Sequence, residues 1–335
     1  MSIIEEDVSR IIRTTDLSYF LNKKVLITGA SGLMGRYFTQ TLLTLQSLGV
    51  GPSSIFLSSK SGHFNFDLDP SAEVIAGDLN DSNVLNIIPK VDVIIHAAGY
   101  AQPDRFLENE FSTININTYV TFNLINKVKA GGKFLFISSS EVYSGLNNPP
   151  FSEDQIGITN TNHSRAAYIE GKRTGEAIVH IANRRSGIIS KSVRLSLAYG
   201  PGTKIGDSRA LNSFISQAIL NKKILLADAG RAMRTYCYVS DAIEMCLNVI
   251  LKGDQSIYNV AGVSRVSIID LAKTIASITD CHLIVPDSDI AALTGAPTDV
   301  WLNLDQIVAL CNKSNFVSLL DGLKRTVSWQ KENLY

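Results

Sequence analysis

The chain has 335 residues, 45% of them hydrophobic and 19% charged, enough apolar material for one large α/β domain or two lobes sharing a chain. Thirty-one basic residues balance thirty-one acidic ones, so no global field draws it to nucleic acid or to an anionic membrane. No apolar run reaches the ~18 residues of a membrane span, and Cys237, Cys246, Cys281 and Cys311 lack the spacing of a disulfide framework or a metal site.

The N-terminal "MSIIEEDVSRIIRTTD" begins acidic and lacks the apolar core of a signal peptide, so a cytoplasmic location is expected. "KVLITG" (24–29) reads as a buried strand, followed by a helix from Met34 to about Leu48. "SSIFLSS" (53–59), "EVIAGDL" (73–79) and "VDVIIHAAG" (91–99) are further strands. A helix from about Phe111 to Ala130 leads into "KFLFISSS" (133–140), and another over 165–185 precedes "SKSVRLSLAYG" (190–200). Strands apolar on both faces and alternating with helices predict a Rossmann-type doubly wound parallel sheet, class α/β.

After Tyr199 the rhythm changes. "GPGTKIGDSRA" is a Gly-rich loop, then come a helix at 210–221 and a short strand near 223–226. "RTYCYVSDAIEMCLNVIL" reads as a strand and helix returning to the sheet, "SIYNVAG" as one more strand, and 267–278 as a helix. The expected division is a dinucleotide-binding domain over 1–195, rejoined by about 235–260, and a smaller interleaved substrate lobe from 196–234 and 261–335.

Three motifs carry chemistry. "TGASGLMG" (28–35) lies where a strand ends and a helix begins. Gly29, Gly32 and Gly35 permit the tight turn, the close approach to a pyrophosphate and the helix–sheet contact, with Ser31, Leu33 and Met34 between them. The next strand ends in Ser58, Ser59 and Lys60, without the acid that accepts from the ribose hydroxyls of NAD. Lys60 with hydroxyls can hold a 2′-phosphate instead, so the cofactor is NAD or NADP, and Asp78 is placed near the adenine. "FISSSEVY" and "YIEGK" (168–172) supply Ser139, Tyr168 and Lys172, the set needed to oxidise a secondary alcohol by hydride transfer. The lysine, one turn from the tyrosine, favours the phenolate.

These residues, with "GDL", "HAAG", Asn117, "YGPG", "RTYCYVSDA" and "YNVAG", resemble the extended short-chain dehydrogenase/reductases of the NAD-dependent epimerase/dehydratase type, which modify nucleotide sugars. Within that group, "SSEVY", "SRAAYIEGKR" and "GDSRALNSFISQAI" look most similar to UDP-glucuronate decarboxylases. The resemblance implies a cofactor contact at Leu79, Ala97, Ala98, Gly99 and Asn117. It implies proton handling by Ser140 and Glu141, and substrate contacts at Gln102, Arg165, Arg209 and Arg234. It also implies a homodimer through the helices near 112–130 and 165–185, and a nucleotide-sugar substrate. Departures are the missing acid, Leu197 in place of an asparagine, and Ser213 with Asn212 where the decarboxylases place a nucleotide-contacting asparagine. The alternatives are an NADPH-dependent reductase of a 4-keto-6-deoxy nucleotide sugar, a 4-epimerase or 4,6-dehydratase, and, more remotely, a non-catalytic dinucleotide sensor. His96 is read as packing, and Tyr143 and Tyr199 as core tyrosines.

Overall fold

In a computed structural model, which describes residues 1–286 and 297–335, the apolar runs form a parallel sheet. The substrate-lobe expectation over 261–335 extends across residues 287–296, which lie outside the described residues. Strands β1 (Lys24–Thr28), β2 (Ser54–Ser59), β3 (Ala72–Ala76), β4 (Val91–His96), β5 (Val128–Ser139) and β6 (Ile189–Leu195) match the predicted runs. After β7 (Leu197–Tyr199), β8 (Lys223–Leu225) and β9 (Met233–Tyr238) comes β10 (Ile257–Val260), which completes a seven-stranded sheet of order β10-β6-β5-β4-β1-β2-β3. All its pairings are parallel, and the order turns back at β1 and β4, where such sheets bind ligands.

Helices cover both faces, which is why the strands carry no polar alternation. On one face, α1 (Ile3–Thr14), α2 (Leu33–Ser47) and, later in the chain, the helix Val239–Lys252 pack over Val25, Ile27, Ile55, Leu57, Val93 and Ile95. On the other, α3 (Ser82–Ile87) and the helices between β4 and β6 pack over Leu26, Phe56, Ile94, Phe134 and Phe136. Helix α1 was not foreseen. Its buried Asp7 accepts from the hydroxyls of Tyr37 (2.9 Å) and Tyr238 (2.8 Å) and from Arg325 (3.0 Å), tying α1 to α2, to β9 and to the C-terminal helix.

Two expectations need correction. The single helix predicted over about 111–130 is two pieces, α5 (Glu110–Asn117) and α6 (Tyr119–Ile125), preceded by an unforeseen α4 (Pro103–Glu108), and the chain is already in β5 at Val128. Thr118 breaks the run with φ −114° and ψ −82°, next to an Ile116 carbonyl that accepts from His96 Nε2 (3.1 Å). The strand of "RTYCYVSDA" does not rejoin the large sheet. β9 pairs with β7 and with β11 (Ser264–Ser267) in a separate three-stranded sheet, while the following helix and β10 do return.

Helix α7 (Ala166–Arg185) runs behind β5 and β6, and α8 (Ala210–Asn221) opens the second lobe. α9 (Val239–Lys252) belongs to the sheet, as described, and α10 (Ile268–Thr279) precedes β12 (His282–Ile284), which pairs with β8. Short α11 (Asp305–Cys311) and the C-terminal α12 (Leu319–Asn333) follow. Leu211, Ile215, Ile224, Leu271, Ile275 and Leu323 form this lobe's own core.

Candidate active site

Gly29 has φ +66°, and a Cβ there would lie 2.7 Å from the Ala97 carbonyl oxygen and from the Ala98 backbone. A Cβ at Gly35 would come 2.2 Å from the Gly29 oxygen. The turn therefore closes only with glycine at both places. Gly32 caps α2 without a side chain, so the N–H groups at Leu33 and Met34 face outward with the positive end of the helix dipole. A cradle that any Cβ would fill, beneath an uncapped helix start, fits the pyrophosphate of a dinucleotide.

Around the turn, Ala97 donates from its N–H to the Thr28 carbonyl (3.3 Å) and Ala98 to Thr28 Oγ1 (3.2 Å). Gly99 lies past the end of β4, where an added Cβ would sit 3.8 Å from Lys172 Nζ. Leu79 is buried in the core beneath. Lys60, at the end of β2, pairs with Asp78 at 2.7 Å and donates to the Tyr100 hydroxyl (3.3 Å). Burial pushes the Asp78 carboxyl up, but Lys60 and Asn80 more than reverse it and leave it lowered. The ammonium expected to meet a 2′-phosphate is thus already neutralised. Strand alternation turns Ser58 and Ser59 to opposite faces. Ser58 Oγ is buried without a partner, whereas Ser59 Oγ donates to Ser31 Oγ at 3.1 Å.

Ser139, Tyr168 and Lys172 converge at the C-terminal end of β5. Ser139 lies close enough to Tyr168 to oppose the rise of its hydroxyl, and its own Oγ accepts from the Glu141 N–H (3.2 Å). Lys172, one turn along α7, donates to the Ile137 carbonyl (2.7 Å) and lies 5.8 Å from the centroid of the Tyr168 ring. α7 comes this close to α5 because Gly171 and Gly175 present no side chains. A Cβ at Gly175 would strike Phe136 at 2.5 Å and the Asn117 oxygen at 2.7 Å. Asn117 is itself buried, its side-chain amide on the Thr113 carbonyl (2.7 Å) and its Oδ1 without a partner.

The expected lowering of the tyrosine is not what the protein alone provides. Burial raises the Tyr168 hydroxyl to about 12, with Glu141 adding to the rise and Ser139, Arg165 and Arg209 opposing it. Burial also pushes the Lys172 ammonium down to about 7, partly offset by Glu176. His96 is a structural group. Its Nε2 donates to the Ile116 carbonyl, which leaves Nδ1 to accept from Thr28 Oγ1 (2.7 Å), and burial takes it down to about 3. Tyr143 and Tyr199 are buried, with the Tyr143 hydroxyl between Asn259 (2.7 Å) and Arg194 (2.9 Å).

The candidate substrate arginines are each engaged within the protein. Arg165 grips the Glu141 carboxylate through Nε (3.1 Å) and Nη2, and Arg209 holds Asp207 (2.9 Å from Nε). Arg234 donates to the Met233 carbonyl (2.8 Å), and burial lowers its guanidinium while Tyr236 and Glu141 oppose that. Ser140 starts the short 3₁₀ turn after β5, and Gln102 precedes α4, half-buried, without a capping bond. Leu197 pairs with Tyr236 at the edge of the second core, Asn212 Oδ1 is taken by Gln330 (3.2 Å), and Ser213 accepts from Gln217 (3.1 Å).

Two features went unread in the sequence. Phe106 of α4 stacks on the Tyr168 ring at 4.7 Å and 16°, with the Arg165 guanidinium 4.9 Å from the centroid of the Phe106 ring. Nothing in "PDRFLE" signals it. Glu176, one turn beyond Lys172, accepts from Arg194 (2.9 Å) and from Ser138 beside Ser139. Its spacing of four from Lys172 was available in the sequence.

Comparison with known proteins agrees with this architecture. Residues 25–261 match the model of the NAD dependent epimerase/dehydratase family, most of the chain's length. The chain belongs to that family. Among curated relatives of this epimerase/dehydratase, UDP-glucuronic acid decarboxylase 6 of Arabidopsis thaliana is 30% identical, covering 83% of this chain and 79% of its own length. UDP-glucuronic acid decarboxylase 1 of Xenopus tropicalis is 27% identical over 93% of this chain and 73% of its own. In fold, an epimerase from Methanothermobacter thermautotrophicus superposes with a TM-score of 0.81 at 20% identity, covering 99% of this chain and 96% of its own. UDP-glucuronic acid 4-epimerase from Bacillus cereus, solved with UDP-glucuronic acid and NAD, gives 0.77 at 22% identity, covering 93% and 100%.

Proposed function

We propose that this family member is a nucleotide-sugar enzyme working by oxidation and reduction at C4 of the sugar, most like a UDP-glucuronate decarboxylase. The observation that carries the reading is the convergence of Ser139, Tyr168 and Lys172 at the end of β5, beside the glycine turn. The decarboxylase relatives support the choice of reaction. The lobe from 196–234 and 261–335 would hold the nucleotide end, and Arg234 and Arg209 the charged groups. A nicotinamide dinucleotide held by the glycine turn (Gly29, Gly32, Gly35) and the start of α2 would supply the hydride acceptor and donor for C4.

The chain's residues do the proton work. Tyr168 takes the C4 hydroxyl proton while Ser139 hydrogen-bonds the same oxygen, and Lys172 stabilises the phenolate. The resulting C4 ketone is β to the C6 carboxylate. The C5–C6 bonding pair can therefore flow into the carbonyl as carbon dioxide leaves, and a proton then returns to C5 near Ser140 and Glu141. Purified protein given UDP-glucuronate is expected to release carbon dioxide without net cofactor consumption. No release, with dinucleotide binding intact, rejects the reaction.

A second reading, NADPH-dependent reduction of a 4-keto-6-deoxy nucleotide sugar, draws on β2 ending in Ser58 and Ser59 with no acid, which also favours acceptance of NADP at least equal to NAD. Stoichiometric loss of NADPH absorbance with such a ketone would select it. We also infer a homodimer through α5, α6 and α7, whose outer faces expose Phe111 (91%), Phe122 (55%) and Ile181 (47%).

A further inference from the structure

The loop after β7 reaches across to the glycine turn. Lys204 Nζ donates to Ser31 Oγ at 3.1 Å, and the same oxygen accepts from Ser59 Oγ at 3.1 Å. A hydroxyl oxygen accepts twice and donates once. With both acceptor positions of Ser31 filled, its proton is free for an outside acceptor, and Lys204 keeps two of its three N–H groups. No carboxylate among the described residues pairs with Lys204. Behind the same loop, the Arg36 guanidinium lies between Phe66 (4.8 Å) and Trp329 (5.5 Å), 8% exposed, and its Nε and Nη1 have no partner. A Cβ on Gly202 would touch Arg36 Cδ at 3.1 Å, so the loop runs close over the stem of this side chain. Lys204 is therefore an uncompensated cation beside the end of β2, where this fold seats the adenosine ribose.

We propose that Lys204, with Ser31 and Ser59, forms the subsite for the 2′-phosphate of NADP, and that Lys204 rather than Lys60 sets the preference between the two dinucleotides. The inference rests on the dinucleotide reading of the glycine turn. The pyrophosphate is common to NAD and NADP and belongs to the start of α2, so it gives no discrimination. A phosphate on the ribose adds a second anion at Ser59, within reach of an ammonium that has no counter-charge. Lys60 is spent on Asp78. Burial lowers the Lys204 ammonium, a penalty that a bound phosphate would relieve.

Calorimetric dissociation constants for NAD and NADP, on the wild type, Lys204→Met and Lys60→Met, test this. The wild type is expected to bind NADP at least as tightly as NAD. Lys204→Met is expected to weaken NADP by about tenfold or more, the scale of a charge-assisted hydrogen bond, and NAD by less than about twofold. Lys60→Met should leave the ratio of the two constants within about threefold. Equal weakening of NAD and NADP by Lys204→Met would place the ammonium on the pyrophosphate and overturn the proposal. So would an unchanged NADP constant, or a loss of NADP selectivity in Lys60→Met. Competition on the unaltered protein gives an independent arm: 2′,5′-ADP should displace NADP better than 5′-ADP does, and parity between them overturns the subsite. If the wild type binds neither dinucleotide, the reading of the glycine turn itself has failed, a result distinct from any Lys204 outcome.

Discussion

The Glu141 carboxylate and the Arg165 guanidinium form a two-point ion pair beside the Tyr168 ring, with side chains only 17% and 10% exposed. Both were expected to act on substrate separately. Their pairing means that an anionic sugar must compete for Arg165, and that neither residue can be removed without stranding the other.

Removing one partner of such a pair leaves an uncompensated charge and costs about 3 kcal/mol. Arg165→Met and Glu141→Gln should each lower the urea midpoint, and the double variant should lose clearly less than the sum of the two. Strict additivity in a double-mutant cycle would show that the pair contributes nothing.

Helix contact through glycine gives a sharper test. Alanine is favoured over glycine in a helix by about 1 kcal/mol. At Gly175, however, the new Cβ would lie 2.7 Å from the Asn117 carbonyl oxygen, a backbone atom that cannot swing aside. Overpacking of this kind costs about 1–3 kcal/mol, so Gly175→Ala should be destabilised in thermal melts despite its better propensity. A raised melting temperature would mean that α5 and α7 do not meet as described.

The acid limb of stability should report His96. Its folded-state value is depressed to about 3, against an ordinary 6.5, so the unfolded chain takes up the proton first. The stabilising effect is complete above about 6.5 and is lost as pH falls toward 3, by about 1.4 kcal/mol per unit. His96→Gln, which keeps a donor for the Ile116 carbonyl, should show a shallower fall in unfolding free energy between pH 6.5 and 4. An unchanged slope would mean that the imidazole is not buried as a neutral group.

Phe111 offers a test of the assembly. Nine-tenths of its surface is exposed on α5, where it lines a surface hollow with Ile114. Phe111→Asp should halve the mass measured by light scattering while leaving the unfolding free energy of the monomer within about 0.5 kcal/mol, the ordinary scatter of surface substitutions. A wild type that is already monomeric sinks the dimer.

Much of the frame could be read in advance because burial on both faces leaves strands as plain apolar runs, and because the glycine turn has few sterically permitted sequences. Asn117, Gly171 and Gly175 had a legible position but an illegible reason, since the approach of α7 to α5 is a long-range fact. α1 escaped notice because what fixes it is long-range: its Asp7 accepts from Tyr37 and Tyr238, far along the chain. Phe106 and Lys204 lie in loops or short helices, where no periodicity marks direction. The split of "RLSLAY" into β6 and β7 turns on Ser196, whose hydroxyl donates to the Thr235 carbonyl (3.0 Å), a partner no local pattern reveals.

Lys172 carries the last prediction, because its two roles oppose each other. Burial takes its ammonium down to about 7 in the folded protein, against an ordinary 10.5. Between those values the unfolded chain binds more protons than the folded one, so the wild type gains stability as pH rises through that interval. Below about 7 the full cost of burying the charge is present, offset in part by the bond to the Ile137 carbonyl. Lys172→Met removes the titration and that bond together. Its stability relative to wild type should therefore be highest near pH 6.5 and should decline by about 1.4 kcal/mol per unit toward pH 10, while turnover of a nucleotide sugar is lost. A stability difference that does not vary with pH would mean that the ammonium is solvated rather than held beneath Tyr168, and the proton-transfer role built on it would fall with it.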